Sequence, residues 1–187
     1  MKYLKYILGL IAVLVIGFLL MWIINPELSY DCEIIVEKSA DESWAIVQDD
    51  EKMPEWLPGF QNIEHVSGTP GTVGAVSIVY FNNEGEQMSI QETITDIVPN
   101  ESMSMRFEDD FMIMDYKISL ASINGKTKIS SSTTAVGNGI ISKSIMSLVG
   151  GSIEAQEEEN LKNLKKTIEE NTKSYFNTDE EIIENEE

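Results

Sequence analysis

The chain has 187 residues, and its 32 acidic side chains against 13 lysines and arginines give a net charge of −19. This balance excludes nucleic-acid binding through phosphate contacts and charge-driven docking on anionic headgroups, because both draw their affinity from cationic side chains. Cys32 is the only cysteine and His65 the only histidine, so neither an intramolecular disulfide nor a histidine-based metal cluster is expected.

Residues 6–24 read YILGLIAVLVIGFLLMWII, with no charged side chain. At ~1.5 Å per residue such a helix covers most of a ~30 Å hydrocarbon core. Tyr3 and Tyr6 at one end and Trp22 at the other stand where amphipathic rings favour the interface. Lys2 and Lys5 precede the run, so residues 1–5 are expected in the cytoplasm and everything beyond the helix outside it, in a periplasmic or extracellular space. With those two lysines set aside, 11 basic residues face 32 acidic ones, a net −21 for the remainder. A cleaved signal peptide would be shorter and end in small residues, whereas here Met21-Trp22-Ile23-Ile24 is bulky. The expectation is therefore a single-pass anchor in the cell membrane, with the bilayer as partner. Ser29-Tyr30-Asp31 ahead of Cys32 is not a lipidation box, and Cys32 is expected buried in a strand. A linker over 25–29 would hold the outer domain against the membrane surface.

Beyond the linker the hydrophobic period becomes two. A strand is expected at 30–38. Ser39 followed by Glu42 has capping-box spacing and opens a short helix with Trp44, Ala45 and Val47. A second short helix or turn falls at 53–57, between Pro54 and Pro58. Strands then follow at 62–67, 72–82, 86–98, 102–107, 111–122 and 126–136, separated by turn sequences such as Gly68-Thr69-Pro70-Gly71 and Asn124-Gly125. Ile141, Ile145, Leu148, Val149, Leu161, Leu164 and Ile168 recur at helical spacing, predicting a final helix over 140–175. Gly150-Gly151 within it points to a kink or to a close contact, at roughly 1 kcal/mol per glycine relative to alanine. Residues 177–187 are mostly acidic and expected to be disordered.

The segments IIVEKSADESWAIVQDDEKMPEWLPGF and NIEHVSGTPGTVGAVSIVYF carry a resemblance. The first is similar to the polyketide-cyclase/dehydrase branch of the SRPBCC superfamily, and the second resembles the glycine-rich loop and following strand of its pollen-allergen branch. The resemblance spans about 29–175, within a domain expected at 30–176. It implies an α+β helix-grip fold of START-like type: a seven-stranded antiparallel curved sheet around a long C-terminal helix, with a cavity between them. These motifs are structural and do not specify a reaction.

Strand alternation indicates what would line such a cavity. Met103, Met105 and Phe107 share one face of their strand, as do Met112, Met114 and Tyr116 of the next. This is either a pliable wall for an apolar ligand or ordinary core against the last helix. Met88, Ile90, Glu92 and Ile94 alternate with Gln87, Ser89, Gln91 and Thr93 on the expected inner face, which places Glu92 in an apolar row, either inside with a raised pKa or at the sheet edge in water. Ser131 and Thr133 share the face of Ile129. Met146 of the last helix, and Trp56 and Phe60 near the cavity entrance, complete the candidate ligand-binding set. Glu92 and Tyr116 are the two candidate acid–base groups, although no catalytic set is recognisable. The segment from Gly68 to Gly74 lacks a following lysine–serine/threonine pair and so is not a phosphate loop. No serine stands in a G-x-S-x-G elbow, and no cofactor or metal is expected.

Three functions are compatible with these residues. The leading one is a membrane-anchored extracytoplasmic module that binds a lipid or small apolar ligand. The second is an enzyme of cyclase, dehydrase or hydrolase type, and the third is an interaction scaffold of the envelope. The oligomeric state is not legible.

Overall fold

The computed structural model describes residues 2–83 and 85–176; the acidic tail expected at 177–187 lies outside them. Chain order is α1 (Lys2–Ile24), β1 (Leu28–Val36), α2 (Ala40–Val47), α3 (Met53–Trp56), β2 (Phe60–Ser67), β3 (Val76–Asn83), β4 (Glu86–Val98), β5 (Ser102–Glu108), β6 (Met112–Ile123), β7 (Lys126–Gly137) and α4 (Ile140–Glu170). The seven strands form one antiparallel sheet in the order β1-β7-β6-β5-β4-β3-β2. Five consecutive hairpins account for this order, and β1 closes the far edge by pairing with the last strand.

Local chemistry sets the boundaries. Ser39 Oγ accepts from the Glu42 backbone N–H while the Glu42 carboxylate accepts from the Ser39 N–H, the expected capping box. The β6–β7 turn runs through Asn124 and Gly125, both at positive φ. Most boundaries lie within two residues of the sequence reading, and three differences have a visible physical cause. β1 starts at Leu28, because Leu28 and Ser29 pair with Ala135 and Thr134, so the tether shrinks to residues 25–27. β3 starts at Val76 instead of residue 72. Gly71 and Gly74 both adopt positive φ, and Gly74 turns its N–H to the Ile94 carbonyl, so 72–75 forms a turn. α4 ends at Glu170, because residues 171–176 are held elsewhere: Tyr175 donates its O–H to Asp49 at 2.6 Å and Lys173 pairs with the same carboxylate at 2.7 Å.

One face of the sheet makes the core. Val36, Ile94, Met103, Met105, Ile118, Leu120 and Ile129 pack with Leu161, Leu164 and Ile168 of α4 and with Trp44 and Trp56 of the short helices. α4 runs without interruption through Gly150-Gly151, so the pair does not break the helix. A Cβ on Gly150 would come within 2.9 Å of the Leu28 side chain, whereas one on Gly151 would meet nothing within 4 Å. The first glycine is a close-contact position. At the β7–α4 junction a Cβ on Gly137 would lie 2.5 Å from the Lys143 backbone nitrogen, which brings the start of the helix hard against the strand.

Candidate functional site

The concave face divides into two parts. α4 packs against β1 and β7 and against α3 and α2, so it covers one side of the sheet. There the inner face is lined by the buried side chains of the core. Toward β5, β4 and β3, Val79, Ile94, Met103 and Met105 are still buried, whereas Phe107 and Ile90 remain partly exposed, as do Met112 and Met114 at the adjoining end of β6.

Cross-strand register fixes the inner face residue by residue. One row runs Tyr30, Thr133, Tyr116, Met105 and Ile94 across β1, β7, β6, β5 and β4. The neighbouring row runs Leu28, Ala135, Met114, Phe107, Glu92 and Ser77. The methionines of β5 and β6 therefore lie on the face toward α4, as the alternation indicated. Met103 and Met105 are buried in the core, whereas Phe107, Met112 and Met114 are half-buried along the open part. Phe107 and Tyr116 meet edge to face with ring centroids 6.4 Å apart.

Other candidates are more scattered. Ile90 is half-buried, but Met88 is 55% exposed at the end of the sheet near the β3–β4 turn. Trp56 is buried in the core, and Phe60 is buried edge-on against Phe81 at 6.1 Å. Met146 is buried at the opposite end, beside a cleft of about 290 Å³ between residues 25–29, the end of β7 and α4. His65 is exposed and contacts the Gly68 carbonyl. Among the described residues no cluster of metal-ligating side chains occurs.

Glu92 is half-buried on the inner face, opposite Phe107. Desolvation, assisted by the charge of Asp50, pushes its carboxyl up to about 7. Asp50 is itself raised, by burial and by Asp49. The second acid–base candidate is bonded to a group that the sequence reading missed. Tyr116 donates its O–H to Glu157 Oε1 of α4 at 3.0 Å, and Glu157 is buried. Burial first, and then Glu157, hold the Tyr116 phenol well above its ordinary pKa, so at neutral pH it is a hydrogen-bond donor and not a base. Asn160 Nδ2 approaches the other Glu157 oxygen at 3.4 Å. Burial also raises Tyr30 and Cys32 beside this pair.

Ser131 Oγ, Thr133 Oγ1, Ser43 Oγ and Trp56 Nε1 are buried and complete no hydrogen bond within the protein. Ser131 still lies near enough to the Tyr116 hydroxyl to favour its ionised form slightly, as Thr133 does for Tyr30.

Glu157 had a legible signal. Counting back from Ile168 through Leu164 and Leu161 in steps of four and three lands on Glu157, then Ile153, Gly150 and Met146. The run of glutamates at 157–159 masked it, since such runs usually form a solvated face.

A curved antiparallel sheet gripped by a long C-terminal helix, with a partly open apolar face and few polar groups, defines a helix-grip ligand-binding fold. Residues 28–169 match the family described as Polyketide cyclase / dehydrase and lipid transport, and the chain belongs to that family. Solved structures agree on the fold. Ara h 8.0201 superposes with a TM-score of 0.62 at 19% identity, covering 78% of this chain and 99% of that one. The Zhui aromatase/cyclase from Streptomyces sp. R1128 gives 0.64 at 13% identity, covering 76% and 94%. The protein TTHA0849 of Thermus thermophilus gives 0.61 at 14% identity, covering 75% and 96%. No curated protein matches the chain.

Proposed function

We propose that this protein is a membrane-anchored, extracytoplasmic module that takes a lipid or other small apolar ligand onto the open part of its concave face. The observation that carries this reading is the partly exposed row Phe107, Met112 and Met114, adjoining the Tyr116–Glu157 pair. It offers an adaptable apolar wall with a polar group at one end. Each buried CH₂ of an alkyl chain contributes ~0.8 kcal/mol, so a short stretch of wall suffices for measurable affinity. α1 supports the anchoring half of the reading. It is the one described helix long and apolar enough to cross a membrane, with a mean hydropathy of 2.7 over its best window, and its side chains face outward along most of its length. The tether of residues 25–27 would then hold the open face close to the bilayer as a source or destination of ligand.

Native mass spectrometry of the full chain after gentle extraction tests the binding half. Bound lipid or fatty acid, or uptake of added fatty acid, is expected. A domain that stays empty in both cases overturns it. Protease added to cells stripped of any outer membrane and wall should digest the domain, and full protection there would overturn the orientation.

A second reading, an enzyme of the cyclase or dehydrase kind, is favoured by one observation. A carboxyl pushed up to about 7 is poised to exchange protons at neutral pH. Glu92→Gln separates the two readings: lost turnover with retained ligand indicates an enzyme, and unchanged behaviour removes its best acid.

A further inference from the structure

α4 changes character along its length. Residues 153–170 contain six glutamates and three lysines, whereas residues 140–152 contain no acid and one charge, Lys143. No acid occurs between Asp115 and Glu154, so this half-helix closes the longest acid-free run in a chain of net charge −19.

This half-helix has three faces. Ser142, Met146 and Gly150 are buried toward the sheet, with the Gly137 and Leu28 contacts beneath them. The next face meets α1: Lys143 Nζ lies 5.2 Å from the Trp22 ring centroid, Ser147 Oγ lies 3.0 Å from the Asn25 carbonyl, and the two helices pack side by side. The third face bears Ile141, Ile145, Leu148 and Val149. Ile141 is 64% exposed, Leu148 57% and Val149 37%, while Ile145 is half-buried. Ile140, 56% exposed, extends the stripe at the start of the helix.

We propose that this third face is a second membrane contact, immersed in the interfacial layer of a zwitterionic bilayer beside the anchor. The inference rests on α1 being a transmembrane anchor, as proposed above. α4 packs against the last turns of α1, so the two segments share a depth. Trp22 and Lys143 mark that depth as the headgroup level, one by its amphipathic ring and the other by a charge on a long stem. The near absence of charge makes apolar burial the driving force, and the acidic remainder of the domain disfavours anionic lipid. Contact on two sides of one helix fixes the domain's orientation, which a three-residue tether alone would leave free.

The experiment uses the full chain, one copy per nanodisc of phosphatidylcholine, in a Cys32→Ser background. Single environment-sensitive labels are placed at Ile141→Cys, Leu148→Cys, Lys162→Cys and Val13→Cys. Labels at 141 and 148 should be quenched by nitroxide lipids and shielded severalfold from aqueous iodide, relative to the label at 162. If they respond like 162, or are shielded from iodide without lipid quenching as a protein contact would produce, the inference is overturned. The label at 13 reports on the anchor separately. Quenching by deep nitroxide at 13 without quenching at 141 and 148 sinks only the second contact. No quenching at 13 sinks the anchor reading on which it rests.

Discussion

Tyr116 of β6 and Glu157 of α4 meet at 3.0 Å, 41 residues apart in the chain, and join the sheet to the helix through a part-buried hydrogen bond. Removing the phenol oxygen leaves the Glu157 carboxyl with only the longer approach of Asn160. Tyr116→Phe should therefore destabilise the domain by about 1–3 kcal/mol, the cost of stranding a buried acceptor. Glu157→Leu in the same background should recover most of that loss, since an apolar replacement of both partners removes the stranded group. Urea unfolding of the two variants checks this. Equal midpoints for wild type and Tyr116→Phe would show that the pair adds nothing.

Glu92 gives a pH signature of definite sign. Its carboxyl is pushed from 4.5 to about 7 in the folded domain, so between these values the folded state holds a proton that the unfolded chain has released. Stability should then fall as pH rises from about 4.5 to about 7 and level off above, by roughly 3 kcal/mol at ~1.4 kcal/mol per unit before allowing for its partial exposure. Glu92→Gln should abolish this slope and be the more stable protein above pH 7. Denaturant midpoints of both proteins across the window measure it. Parallel curves would mean that Glu92 is solvated.

The sheet was legible because its inner face alternates cleanly. In β6, Met112, Met114, Tyr116, Ile118 and Leu120 are separated by Ile113, Asp115, Lys117 and Ser119, and the structure keeps that order of faces. The capping box and the two short helices were readable for similarly local reasons. What escaped depends on distant partners. Glu157 sits at a core position of α4 but lies within an acidic run, so charge hid its periodicity. The end of α4 is set by Asp49, more than 120 residues earlier. The burial that raises Glu92 and Asp50, and the charge that Asp50 exerts on Glu92, join residues 42 positions apart, which no local pattern encodes.

The glycines of the α4 region separate by what a methyl group would meet. Gly151→Ala enters open space and should stabilise by about 0.5–1 kcal/mol through helix propensity. At Gly150 the same propensity gain is offset by the 2.9 Å approach of the flexible Leu28 side chain, so the net change should be small. Gly137→Ala meets backbone atoms of Ser142 and Lys143 at 2.6 and 2.5 Å, which cannot retreat without moving the helix. About 3 kcal/mol of destabilisation is expected there. Thermal melts of the three variants should rank 151, 150, 137 from most to least stable, and any reversal would contradict the close approach at the junction.

Asp49 clasps residues 171–176 to the loop before α3. Burial acts to raise its carboxyl, but hydrogen bonds from Lys173 and Tyr175 outweigh burial and hold it below the usual range. Tyr175, by burial and by that same hydrogen bond, is pushed up to about 12. Because the folded pKa of Asp49 is depressed, the clasp contributes above the ordinary carboxylate range near ~4 and is lost as pH falls through the lower folded value. Tyr175→Phe removes one of the bonds and should cost at most about 1 kcal/mol globally. Its local effect should be larger, since a segment held by few contacts opens on its own. Hydrogen exchange over 171–176 should accelerate severalfold in Tyr175→Phe and more in Asp49→Asn, while exchange in β6 and β7 stays at the wild-type rate. Acceleration spread evenly over the domain would instead make the clasp part of the global core.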